Sequence, residues 1–269
     1  NKLNNYQLFV LLAPHIGNLG ADNTAWVGEH KGMPMLFAER DGVSLAFACS
    51  STWKKLSVGF VGASDGWQDI HRHKQMAWKF SRAEEGNVCL TGEVDMQNSQ
   101  EFVITIGFGS NPAEAGQRAM ASLLEDFDAV KQEYIYKWQK WQRTLLCLKN
   151  TSKTDSEHDL YLVSASVLKI HEGKKLPGGI VASLSIPWGF SKGDEDFGGY
   201  HLVWPRDMVQ TAGGMLALKA GDDALKALNY LMITQEPDGH WAQNMWLDGT
   251  AYWNGIQMDQ TGSPILLLD

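Results

Sequence analysis

Tyr200-His201-Leu202-Val203-Trp204-Pro205-Arg206-Asp207 opens a helical run with residues that suit a ligand site. Pro205 has its φ preset for a first helical turn, and its missing N–H is one the helix would leave unpaired anyway. Arg206 and Asp207 follow directly, and Trp204 precedes them. A tryptophan face covers the apolar C–H side of a sugar ring, while a guanidinium and a carboxylate supply donors and acceptors for adjacent hydroxyls. The same residues also suit a structural role, as an Arg–Asp pair at a helix start. A second cluster mixes aromatics, amides and carboxylates again. It runs Trp241-Ala242-Gln243-Asn244-Met245-Trp246-Leu247-Asp248-Gly249, then Tyr252-Trp253-Asn254-Gly255-Ile256-Gln257-Met258-Asp259.

Working outward from Pro205, the pattern is helical on both sides. One helix runs through Met208, Met215 and Leu218 to near Gly221. Asp222 caps another with Leu225, Leu228, Leu231 and Met232 on one face, and a further one begins near Ser263-Pro264. Upstream, Leu160–Ile170 reads as a helix entering the Gly-rich loop 173–179, and the polar run 150–156 reads as a linker or cap. From 113 to about 148 the spacing gives one or two helices, with Asn111 as cap and Pro112 in the first turn. The apolar stripe there (Met120, Leu123, Leu124, Phe127, Val130, Tyr134, Trp138, Trp141) reads as a packing seam.

Before residue 111 the period changes. Short apolar or alternating runs at 7–12, 35–38, 44–49, 56–61, 88–94 and 102–108 are separated by turns such as Arg40-Asp41-Gly42 and Ser64-Asp65-Gly66. Recurrent short strands of this kind indicate an antiparallel β-sandwich. The chain thus divides into a sandwich (1–111, with its start expected to be truncated), a helical linker (112–155) and a helical region (156–269).

The chain has 269 residues and a net charge of −8, which argues against a nucleic-acid partner, since phosphate contacts need a basic face. No run approaches membrane-spanning length. Cys49, Cys89 and Cys147 are odd in number and lack metal-ligand spacing, so buried free thiols are expected. His71-x-His73 alternates like a strand face without a partner set, and no metal or cofactor is implied. Residues 8–13 are apolar but too short, and too poor in preceding basic residues, for a signal peptide. The chain begins without Met, as a processed or partial chain would.

Four motifs in order resemble the bacterial and archaeal branch of the glucoamylase–glucodextranase family of inverting α-glucosidases. They are Trp204-x-Arg206-Asp207, Gln235-x-x-Asp238-Gly239, Gln243-Asn244-x-Trp246-x-Asp248-Gly249 and Trp253-x-Gly255-x-Gln257-x-Asp259. Pro177-Gly178-Gly179 through Pro187-Trp188-Gly189 extends the likeness, which thins before about residue 155. The resemblance implies a β-sandwich, a linker helix and the first helical hairpins of a six-hairpin α/α barrel. It implies that Arg206 and Asp207 grip the terminal glucose of an α-glucan or oligosaccharide. Trp204 would lie against that sugar, with Trp246, Trp253 and Asp259 as further lining residues. Turn chemistry is the preferred reading of Asp238-Gly239 and Asp248-Gly249.

Inverting hydrolysis needs an acid and a base roughly 6.5–9.5 Å apart. In the family both are glutamates further along than Asp269, so no catalytic residue is assigned here. Glu195 and Glu236 match neither position. Members commonly carry Asp-Glu-Thr-Ala where this chain has Asp259-Gln260-Thr261-Gly262, which puts a carboxylate role at 260 in doubt. The chain is therefore expected to be a fragment whose partner is the missing C-terminal part of the barrel, inactive and poorly soluble alone. Two other readings stay open: a disaccharide phosphorylase of similar architecture, although no phosphate-cradling loop is visible, and a non-catalytic carbohydrate-binding remnant. A polymeric substrate favours an extracytoplasmic location, whereas unpaired cysteines are compatible with cytoplasm.

Overall fold

The structure, a computed structural model, describes residues 6–96, 101–146, 160–185 and 199–268. The readings at Cys147, residues 150–156, Pro187-Trp188-Gly189 and Glu195 lie outside the described residues. The chain forms two compact units that divide between Glu133 and Tyr134.

In the first unit, β1 (Leu8–Leu12), β7 (Val88–Val94) and β5 (Trp53–Phe60) form a three-stranded sheet in the order β1-β7-β5. A five-stranded sheet has the order β6-β2-β3-β4-β8, from β2 (Asn23–His30), β3 (Met33–Arg40), β4 (Val43–Cys49), β6 (Arg82–Gly86) and β8 (Ile104–Gly109). Every pairing is antiparallel. The β2–β3 and β3–β4 hairpins turn on Lys31-Gly32 and Asp41-Gly42, both residues of each pair at positive φ. These are two-residue turns of the primed type, whose twist matches that of the strands. Leu36, Leu45, Phe47, Val58, Val88 and Leu90 make a buried core between strands of the two sheets.

The outer face of the larger sheet is covered by α2 (Pro112–Leu124). Met35, Phe37, Ala46 and Ala48 pack there against Ala115 and Ala119. Burial on both faces explains why residues 44–49 read as an almost continuous apolar run. Asn111 caps α2 as expected, its Oδ1 accepting the Glu114 N–H at 3.0 Å. The Glu114 carboxylate reaches back to the Ser110 N–H at 2.7 Å, which holds its pKa down to about 2. The helix approaches β8 so closely that a Cβ on Gly107 would lie 2.2 Å from the Ala115 carbonyl oxygen.

Three local expectations change. His71 and His73 lie on a helix, α1 (Gly66–His73), not on a strand. Asp65 caps it, and the buried Asp69 pairs with His73 at 2.8 Å while accepting the Ala77 and Trp78 N–H groups. The chain needs those acceptors to turn back toward β6, and alternation alone cannot reveal them. β2 and β6 were not anticipated, because their mixed polarity gains strand identity only through pairing. The apolar stripe is split between two helices, α2 and α3 (Phe127–Gln142). Met120 and Leu123 pack on the sheet, whereas Leu124, Phe127, Val130 and Tyr134 are exposed. The break at Glu125-Asp126 interrupts the helical phase, so one seam cannot continue through both. Cys49 and Cys89 are buried free thiols whose pKa values burial pushes up.

The second unit contains the rest of α3, α4 (Leu160–Ile170), α5 (Pro205–Ala217), α6 (Gly221–Ile233), the β9–β10 hairpin (Ala242–Met245 and Ala251–Ile256) and α7 (Met258–Leu266). Met208, Ala212 and Met215 of α5 pack in one core with Ala224, Ala227 and Leu231 of α6. The buried face of α6 is thus set by alanines that permit close helix packing. Leu225 and Met232, expected there, are exposed. Helix α7 starts at Met258, earlier than the expected Ser263-Pro264, and Pro264 lies inside it.

One charged cluster ties this unit together. The buried Asp223 carboxylate accepts from Lys169 Nζ (2.9 Å), Lys226 Nζ (2.9 Å) and Trp141 Nε1 (2.7 Å). Lys169 also pairs with Glu172, whose other oxygen takes the Gly178 N–H at 3.0 Å. Burial would push the Asp223 carboxyl up, but hydrogen bonds from Lys169, Lys226 and Trp141 outweigh it and hold it below its usual value. A depressed carboxyl contributes stability above its unfolded pKa of about 3.9, and that contribution is lost as pH falls through the lower folded value.

Two outcomes follow. Gly107→Val should lower the stability of the sandwich by about 1–3 kcal/mol in urea unfolding, because neither backbone can retreat. Asp223→Ala should cost about 1–3 kcal/mol at pH 7, by removing the acceptor shared by the Trp141 indole N–H and half-buried Lys169, which keeps Glu172, and thermal melts of this variant should flatten below pH 4 relative to the parent.

Candidate functional site

Helix α5 begins without a cap of its own. Trp204 occupies the cap position in extended conformation and makes no side-chain capping bond, and Pro205 has no N–H. The first available donor, Arg206 N–H, is satisfied from α7, where Gln260 Oε1 accepts it at 2.9 Å. Gln260 is wholly buried. The adjacent Asp259 carboxylate pairs with the Arg206 guanidinium. Two consecutive residues of α7 therefore hold the backbone and the side chain of Arg206.

The expected Arg206–Asp207 pair is not formed as a pair, since the guanidinium goes to Asp259. Asp207 sits in the first turn of α5, where the helix dipole favours its charge. Among the described residues its carboxylate has no hydrogen-bond or ion-pair partner. It lines a cleft of about 260 Å³ with His171 and Thr211 as polar neighbours and Leu168, Ile180 and Met208 in the apolar wall. An acceptor-only group beside an imidazole and a hydroxyl suits a ligand that presents several O–H groups.

The aromatics fall into separate groups. Trp204 lies tilted against Tyr200, with ring centroids 6.2 Å apart, and Trp246 meets Tyr252 edge-on at 5.7 Å. Trp253 is half exposed and folds over Gly255, where a Cβ would come within 1.9 Å of its ring. β9 joins these groups. Val203 and Met245 exchange backbone hydrogen bonds at 2.8 and 3.0 Å, and Trp253 pairs in register with Asn244. Of the six residues singled out in the sequence, Asp207 lines the 260 Å³ cleft; Arg206 and Asp259 pair with each other.

Asp238-Gly239 and Asp248-Gly249 are turns, with both glycines at positive φ. Asp248 accepts the Thr250 N–H at 2.9 Å, and the hydrogen bond from His240 lowers the Asp238 carboxyl. The backbone of Glu236 closes the first of these turns onto His240. Sequence reasoning missed His171 and Thr211, which carry no motif. It also missed the role of Gln260, whose one signal was the departure from Asp-Glu-Thr-Ala. Among the described residues, no group of three His, Cys, Asp or Glu side chains is placed to hold a metal ion.

Residues 1–143 match the family described as Glucodextranase, domain N, and residues 155–237 match Glycosyl hydrolases family 15. The chain belongs to the glucoamylase–glucodextranase family. This family member is 35% identical over 266 residues to a glucoamylase of Clostridium sp. (strain G0005), covering 99% of this chain and 37% of that protein. It also superposes on a crystal structure of a bacterial glucoamylase complexed with acarbose. The TM-score is 0.87 at 36% identity, over 99% of this chain and 39% of that one. Its antiparallel sandwich followed by helices is the fold of that glucoamylase over the matched length. The chain spans less than two-fifths of the length of these relatives.

The Arg206–Asp259 pair is about half exposed on each side (43% and 46%), so its own contribution to stability is small. Asp259→Asn should change the urea unfolding free energy by less than about 1 kcal/mol. A loss of several kcal/mol would mean that the pair is a structural lock.

Proposed function

We propose that this chain supplies part of the substrate cleft of a glucoamylase-like glycoside hydrolase that releases glucose, with inversion, from the non-reducing ends of α-glucans. The bond cleaved is taken to be α-1,4. Asp207 is the observation that carries the reading: a carboxylate without a partner among the described residues, held at a helix N-terminus in a cleft with His171 and Thr211. Likeness to a glucoamylase complexed with acarbose supports an oligosaccharide as the molecule that takes up those hydrogen bonds. Arg206 and Asp207 grip the terminal sugar, Trp204 covers its apolar face, and Trp246, Trp253 and Asp259 line the approach.

The general acid and base are proposed to lie in the part of the relatives that this chain does not match. Inversion requires them on opposite sides of the scissile bond, with room between for the attacking water. The three-part organisation (1–111, 112–155 and 156–269) is proposed as sandwich, linker and opening segment of the α/α barrel. No cofactor is needed for this chemistry. The relatives named are glucoamylases, and neither points to a phosphorylase.

Maltose titration followed by tryptophan fluorescence tests the reading. Asp207→Asn should weaken binding at least about tenfold, the usual loss for one hydrogen bond to a charged group. Asp248→Asn, a change in a turn, should leave it within about twofold. Equal affinity of the Asp207→Asn variant and the parent would remove the proposed sugar grip.

A further inference from the structure

A helix leaves its first N–H groups without internal partners, and a buried one left unpaired costs about 1–3 kcal/mol. At α5 neither Trp204 nor Pro205 meets that need, and the acceptor comes from a residue 54 positions away. We propose that Gln260 is a positioning residue for the Arg206–Asp207 turn, acting as the cap that α5 lacks. Its importance for sugar binding rests on the reading above.

The amide orientation is fixed by this contact. Arg206 N–H requires an acceptor, so Oε1 faces α5 and Nε2 faces away, where it is buried without a partner. Nothing on the donor side of the amide, among the described residues, competes for its orientation. Because Gln260 is wholly buried, water cannot replace Oε1 once the side chain is shortened or made apolar. Asp259, the preceding residue, takes the guanidinium, so one turn of α7 sets both the backbone and the side chain of Arg206. Asp207 follows on the same turn of α5, and its direction into the cleft is set with it. The contact needs an acceptor at this reach, which glutamine supplies without charge and glutamate retains while adding one.

Three substitutions in the full chain separate this role from simple core packing. Gln260→Met removes the acceptor at similar volume, and Gln260→Glu retains it. Amide hydrogen exchange at Arg206 and maltose affinity are read together, with urea midpoints correcting for the folded fraction. Gln260→Met should speed exchange at the Arg206 amide, and weaken maltose binding, each by about tenfold, while Arg206 exchange in Gln260→Glu stays within about threefold of the parent. Should Gln260→Met fail to fold, Gln260→Asn, whose reach is one methylene shorter, must show the same rise in exchange. Unchanged exchange at Arg206 without the acceptor, or Arg206 exchange as fast in Gln260→Glu as in Gln260→Met, would overturn the proposal. If the parent binds no maltose while exchange responds as described, the cap stands and the sugar reading fails.

Discussion

A helix start that cannot satisfy its own backbone governs this chain's second unit. Pro205 brings a fixed φ but no donor, and Trp204 offers no capping oxygen, so the Arg206 N–H must find an acceptor elsewhere. Gln260 supplies it from α7, and Asp259 adds the ion pair. The start of α7 is accordingly drawn forward to Met258, well before the proline that the sequence pattern favoured. The Arg206 guanidinium pairs with Asp259, while Asp207, one residue on, lines the cleft with His171 and Thr211.

Behind this turn, the second unit is stiffened by two kinds of contact. Small residues along α6 bring it close to α5, and Tyr230 adds hydrogen bonds from its hydroxyl to the Trp246 and Leu247 carbonyls. The Asp223 cluster gathers the end of α3, α4, α6 and the 173–179 loop around one buried carboxylate with three donors. The Asp223 carboxylate is hydrogen-bonded from three sides, which offsets the cost of taking its charge out of water. The first unit solves a different problem. Its larger sheet has two apolar faces, one closed by the smaller sheet and the other by α2, which rides on Gly107.

Much of this was readable in the order of the residues. Strand and helix periods separated sandwich from helices, Asn111-Pro112 marked the start of α2, and the aspartate–glycine pairs marked turns. These features are local, decided by steric preference and by hydrogen bonds a few residues apart. The four spaced motifs were enough to place the chain in its family, since their order survives whatever the side chains do in space.

Tertiary structure decided which partner each polar group takes. Arg206 and Asp207 are neighbours in sequence, yet one pairs with Asp259 and the other lines a cleft with His171. His71-x-His73 could be read as alternating until Asp69 and the returning chain made it a capped helix. The three tryptophans of the motifs part into separate groups because the β9 pairings fix where each backbone runs. Sequence sets the local period and the chemical inventory. Long-range hydrogen bonding assigns the partners, because a buried donor must be satisfied by whatever acceptor the fold brings to it.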